Sequence, residues 1–165
     1  MLRRYIQHLV EHGSPSDVIS VIQFDTSART VADKCSRQDA QNLTLHINGG
    51  GTYFGPALKQ TIALLETDTS TSDIVLVFMT DGENGDDADE VVDILRDLFR
   101  RFAARNPKFN AIGFTQQPKS LLDMVAAVDP HGFLYGAEDS LQLQQRFVEI
   151  AEAMCMSEGT RKRKP

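Results

Sequence analysis

Oxygen-bearing side chains in this 165-residue sequence are concentrated directly after three apolar runs, at residues 25–27, 80–84 and 115–116. A fourth segment, GGGTYFG at residues 49–55, combines a threonine with flexible glycines and leads towards a proline. None of these four places contains histidine or cysteine. Carboxylate and hydroxyl oxygens favour Mg²⁺, Ca²⁺ or Mn²⁺ over zinc or copper. The residue types therefore predict a site for a hard divalent cation.

Apolar runs at residues 18–24, 74–79 and 109–114 predict the strands that would carry these loops. The middle run lacks strict alternation, which is typical of a strand covered on both faces in a parallel sheet. Weaker and shorter strands are predicted at residues 28–31 and 132–135, nearer the edges of the sheet.

Helical periodicity occupies the segments between these strands. The clearest case is residues 88–103, where Val91, Leu95, Leu98 and Phe102 fall on one face. Strands that alternate with helices predict a doubly wound, mostly parallel sheet flanked by helices, with ligands at the carboxyl ends of the strands. Further helices are predicted at residues 1–12, after Pro56, from about Pro118, and after Asp139 and Ser140.

The predicted helix at residues 1–12 leads directly into a strand of the central type. A right-handed strand–helix–strand unit needs a strand before its helix, so we expect an α/β domain that is N-terminally incomplete. We place this domain at residues 1–156 and expect a disordered basic tail at residues 157–165.

Composition excludes several classes of protein. Net charge is −6 although residues 161–164 are all basic, so the remaining chain carries −10, which disfavours binding to nucleic acid. The sequence has no run of about eighteen apolar residues, which a membrane span would need, and no recognisable signal peptide. Cys35 and Cys155 lack any metal-ligand spacing and are expected to be free, buried thiols. These features favour an intracellular, cytoplasmic protein.

Two segments, GGGTYFGPAL at residues 49–58 and VFMTDGEN at residues 77–84, resemble the second and third segments of the metal-ion-dependent adhesion site of von Willebrand factor A domains. The order of elements fits the same family over residues 1–156. The resemblance implies that Thr52 is a hydroxyl ligand and that Asp81 contacts the metal directly or through water.

The family's Asp-x-Ser-x-Ser segment, which follows its first strand, has no counterpart here. Residues 25–27 follow the second strand of the family pattern and are not assigned that role. Losing the first strand would also leave the edges of the strands at residues 18–24 and 74–79 without a partner. With two protein ligands, we expect weak metal binding or none in this chain.

The resemblance implies a protein-interaction module and not an enzyme. An aspartate or glutamate of a protein partner would complete the coordination of Mg²⁺, with Mn²⁺ or Ca²⁺ as substitutes. Tyr53 is the expected aromatic contact with the partner. The other expected partner-binding residues are Gly51, Gly82 and Glu83.

Other interpretations of the same residues stay open. Thr52 and Asp81 are also residue types that cap loops, and the domain could act without metal as a scaffold in a larger intracellular protein. A Mg²⁺-dependent hydrolase ranks lower, because the neighbouring loops contain no lysine or histidine to serve as acid or base. An acidic cluster is predicted to begin the helix at residues 88–103, where the helix dipole favours it: Glu83, Asp86, Asp87, Asp89 and Glu90.

Overall fold

The computed structural model describes residues 14–45, 50–80, 83–114 and 133–137, together with seven single positions between 124 and 149. The predicted helix at residues 1–12 and the tail at residues 157–165 lie outside these ranges. Cys155, Asp81 and Gly82 also lie outside them. None of the described helices has the length and apolar character needed to cross a membrane.

The described strands form two sheets. β1 (Val18–Phe24) pairs antiparallel with β2 (Ala28–Ser36). β3 (Val75–Thr80), β4 (Lys108–Phe114) and β5 (Phe133–Ala137) form a parallel sheet in that order, which confirms the predicted α/β class. Within the described residues no backbone ladder joins β1 to β3.

β2 differs most from its prediction. A short strand was expected at residues 28–31, whereas β2 continues to Ser36 and has nine residues. Its second half is polar and therefore lacks the apolar run that marked the other strands. Pairing with β1 extends β2 through these polar residues. Ser20 Oγ on β1 accepts a hydrogen bond from Lys34 N (3.0 Å) and donates one to Asp33 Oδ1 (3.0 Å).

Three helices lie in the continuously described ranges: α1 (Arg37–Ala40), α2 (Phe54–Thr67) and α3 (Ala88–Arg101). α2 begins at Phe54, two residues before Pro56, whereas the helix was predicted to follow the proline. A proline is tolerated there because the first amides of a helix have no intrahelical acceptor. The predicted helix at residues 88–103 ends at Arg101 and is followed by a 3₁₀ turn, Ala103–Arg105.

The core lies between the parallel sheet and helices α2 and α3. The predicted apolar face of α3 is confirmed, since Val91, Leu95 and Leu98 are at most 1% exposed. Full coverage of β3 was predicted, but Leu76 and Val77 are only half-buried. The main cluster of buried residues consists of Phe54, Ala57, Leu58, Phe78, Val91, Leu95, Phe109, Ala111 and Met124.

A network of charges joins elements at the amino-terminal ends of β3 and β4. Arg105 Nη2 donates to Asp68 Oδ2 (2.8 Å), and Lys34 Nζ lies 3.1 Å from Asp68 Oδ1. The backbone N–H of Ser70 is the largest cause that lowers the pKa of Asp68; the Ser70 hydroxyl, Lys34 and Arg105 add to it, and burial opposes it. This network ties β2 and the segment after α2 to the 3₁₀ turn.

The N-cap of α3 provides a first prediction. Asp87 Oδ1 accepts hydrogen bonds from Asp89 N (3.0 Å) and Glu90 N (3.1 Å). Asp87→Ala is expected to lower the free energy of unfolding by about 1 kcal/mol, because two amides at the start of the helix lose their acceptor. Urea denaturation measures the change. Asp87→Ser, which keeps a capping oxygen, is the control; equal losses in both variants would contradict the cap.

Candidate functional site

The segment before α2, residues 51–55, is held on one side by the turn that follows β1. Gly51 N donates a hydrogen bond to Thr26 Oγ1 (3.1 Å), and Tyr53 N donates to the backbone oxygen of Asp25 (3.0 Å). The turn itself is braced by the Asp25 carboxylate, which accepts from Ser27 N at 2.9 Å. The loops after β1 and before α2 therefore meet, as expected for loops at the carboxyl ends of strands.

The same segment is held on its other side by the loop after β3, residues 83–87. Gly85 N donates to the carbonyl oxygen of Thr52 at 2.7 Å. Phe54 N donates to Asn84 Oδ1 (3.1 Å), and the next amide along α2, that of Gly55, donates to an Asp86 oxygen (2.7 Å). A backbone group of every residue from 51 to 55 is thus bound by one of two loops.

The role of Asp86 corrects one prediction. It was expected to begin the following helix with its acidic neighbours, and Asp87 does cap α3. Asp86 instead binds the start of α2, 31 residues earlier in the chain. Gly55 permits this approach, since a Cβ there would lie 3.3 Å from Asp86 Oδ2. A glycine in the first turn of a helix is the sequence signal for such a close contact.

Thr52, the predicted hydroxyl ligand, is half-buried at the centre of these contacts. Its carbonyl is bound by Gly85, and its hydroxyl forms no hydrogen bond within the described residues. Asp81 and Gly82 lie outside the described residues, but the chain is placed on both sides of them. Thr80 ends β3 and is buried, and Asn84 contacts the start of α2.

Tyr53, the predicted partner contact, is half-buried and packs against two glycines. A Cβ on Gly51 would lie 2.7 Å from ring atom Cε2, and one on Gly85 would lie 3.1 Å from Cε1 and Cζ. A side chain at Gly51 would therefore displace the ring, and one at Gly85 would press against it. The ring joins the two loops, a role that sequence reasoning missed for Gly85. Glu83, another predicted contact, is exposed.

Near β1, the Asp25 carboxyl and the Cys35 thiol each have a hydrogen-bond partner in the adjoining turn or strand. The backbone N–H of Ser27 is the largest cause that lowers the pKa of Asp25, while burial acts in the opposite direction. Cys35 is free but only half-buried, so the expected burial is incomplete; its thiol donates to the Ile19 carbonyl oxygen (3.2 Å). The described residues contain no group of three or more His, Cys, Asp or Glu side chains arranged to hold a metal.

Comparison with known proteins assigns the chain to a class. The family model of the von Willebrand factor type A domain matches residues 1–149, and the chain belongs to this family. Domains of this family are generally interaction modules. No curated protein matches the sequence.

Several solved structures share the fold. A von Willebrand factor type A protein from Catenulispora acidiphila is 21% identical, with a TM-score of 0.69 over 90% of this chain and 35% of its own. The SpRpn10 VWA domain is 14% identical, with a TM-score of 0.66 over 90% of this chain and 78% of its own.

A third similar structure is proximal thread matrix protein 1 from the mussel byssus, with a zinc-occupied MIDAS motif. It is 17% identical, with a TM-score of 0.68 over 93% of this chain and 39% of its own. The chain thus spans less than half the length of the Catenulispora and mussel structures. Identities at this level establish the fold alone.

Proposed function

We propose that this domain is a protein-interaction module that binds a divalent cation through the Thr52 hydroxyl and the Asp81 carboxylate. An aspartate or glutamate side chain of a protein partner would complete the coordination. The main support for this proposal is that the loops after β1 and β3 bind residues 51–55 on both sides. The backbone that carries the Thr52 hydroxyl therefore cannot shift without breaking several of these hydrogen bonds.

The chemistry of the donors suits Mg²⁺ or Mn²⁺. A hydroxyl and a carboxylate are hard oxygen ligands, and six such ligands at roughly 2.0–2.1 Å satisfy Mg²⁺. Asp25 and Asp86 accept hydrogen bonds of their own, and we assign neither as a ligand. With two protein ligands, four positions are left for water and the partner. We therefore expect a weak cation site that a partner's carboxylate strengthens.

The expected contacts of the partner surround Thr52. Tyr53 offers a half-buried ring beside it, and Glu83 offers an exposed charge at the rim. Gly51 and Gly82 have no side chains that would obstruct an approaching chain. This arrangement assigns no catalytic residue.

The test is a titration of the full chain with MgCl₂ and with MnCl₂, followed by calorimetry and by backbone amide shifts. We expect millimolar binding, with shifts in residues 51–55, that is lost in Thr52→Val and in Asp81→Asn. Asp89→Asn is the control, because it removes one exposed charge from the first turn of α3. Heat and shifts retained in both site variants would refute the assignment.

A partner, once isolated, provides a second arm of the test. Its binding is expected to disappear with EDTA and with Asp81→Ala. Binding that survives both treatments, together with no heat at millimolar metal, would favour the metal-independent scaffold instead.

A further inference from the structure

We infer that Asn84 and Asp86 are positioning residues for Thr52: by binding the first two amides of α2 they set the place of the threonine and couple the loop after β3 to the loop before α2. The effect on Mn²⁺ affinity that we expect from these residues rests on the proposed cation site. Neither residue is assigned as a ligand.

The start of α2 lacks a cap of its own. The N-cap position is Tyr53, whose side chain makes no capping hydrogen bond. Serine, threonine, aspartate or asparagine normally supplies that bond. Phe54 and Gly55 are buried, so water does not compensate their amides readily. Their acceptors come from Asn84 and Asp86 instead.

The loop that supplies these acceptors is held by hydrogen bonds of its own. Asn84 Oδ1 accepts from Asp86 N (3.1 Å) as well as from α2, and Asn84 Nδ2 donates to Asp86 O (3.3 Å). The next residue, Asp87, caps α3. The loop is therefore braced internally and anchored to a helix, so that it can hold α2 in place.

The loop after β3 fixes the backbone at Thr52 and at the residues that follow it. Gly85 N binds the Thr52 carbonyl at 2.7 Å, while Asn84 and Asp86 bind the amides two and three residues later. The bond from Asp86 joins a carboxylate to an amide at a helix N-terminus, where both the full charge and the helix dipole strengthen it. Loss of Asp86 should therefore release the start of α2 and, with it, the fixed position of the Thr52 hydroxyl.

The experiment compares Asp86→Ala with Asp86→Asn, which keeps an acceptor oxygen, and with the control Asp89→Ala. Mn²⁺ affinity of the full chain is measured by electron paramagnetic resonance, and hydrogen exchange is followed at the amides of Phe54 and Gly55. Asp86→Ala is expected to weaken Mn²⁺ binding about tenfold, which is the lower end of the loss in affinity caused by mutating residues that orient metal ligands. It should also speed exchange at Gly55. Asp86→Asn should restore most of both properties, and Asp89→Ala should change neither.

The results separate this inference from a merely structural cap. Unchanged Mn²⁺ affinity in Asp86→Ala, despite faster exchange at Gly55, would overturn it. If Asp86→Ala does not fold, Asn84→Ala is measured in the same way, with the same expected loss and the same contrary result.

Failure of the cation site gives a distinct pattern. If the unmodified chain binds no Mn²⁺, the proposed function fails while the coupling stays testable through the Thr52 amide resonance. A shift of that resonance in Asp86→Ala and not in Asp89→Ala supports the coupling. No shift refutes it.

Discussion

Replacing Phe54 with alanine is expected to lower the free energy of unfolding by about 3–5 kcal/mol, because it leaves a cavity in the core. The Phe54 side chain is fully buried. Its ring centroid lies 4.9 Å from that of Phe78 and 6.1 Å from that of Phe24, both in edge-on geometry. Within the described residues these three rings connect α2 to β1 and β3, so the loss affects all three elements.

Urea denaturation, with the midpoint and the slope fitted together, measures this effect. Val18→Ala is the control, since Val18 is 61% exposed and its truncation should change stability by no more than about 0.5 kcal/mol. Similar losses in the two variants would show that Phe54 is not part of the core. Phe54 also donates its amide to Asn84, so the variant should perturb amide shifts in residues 83–87 as well.

Replacing Asp68 with alanine is expected to cost about 1–3 kcal/mol at neutral pH, the range for a buried polar group that loses its partner. Asp68 and Arg105 are each 14% exposed, and Arg105 Nη1 has no hydrogen-bond partner within the described residues. Removing the Asp68 carboxylate leaves the Arg105 guanidinium without its ion-pair partner. Glu66→Ala is the control, because the Glu66–Arg101 pair is about half exposed and should contribute about 0–1 kcal/mol.

The pH dependence of unfolding provides an independent readout of the same network. The pKa of Asp68 is lower in the folded chain than in the unfolded chain, where an aspartate has a pKa of about 3.9. Its stabilisation is therefore complete above that value and is lost as the pH falls below it. The unmodified chain should lose more stability than Asp68→Ala between about pH 5 and pH 3. Parallel pH profiles would contradict this.

Features that depend on neighbouring residues were predictable from the sequence. Strand β1 has its predicted bounds, and β3 and β4 begin within one residue of theirs. The apolar face of α3 was also predicted, and Val91, Leu95 and Leu98 are buried. In each case a run or a regular spacing of apolar side chains allows the prediction, because the residues that form the pattern are also the residues that become buried.

The metal-site assignment is predictable only in part, since the two motifs identify Thr52 and Asp81 by type and order. The structure places Thr52 between two loops and does not describe Asp81. Cation binding by Thr52 and by Asp81 stays a prediction.

Tertiary structure alone decided which distant groups hold residues 51–55 in position. The helix predicted after Pro56 begins earlier, at Phe54. Asn84 and Asp86, which lie 30 and 31 residues further along the chain, provide acceptors for the amides of Phe54 and Gly55. β2 likewise continues through polar residues because β1 lies beside it. Periodicity within a segment reports which face is buried. An amide without a local acceptor finds its partner only through the path of the whole chain.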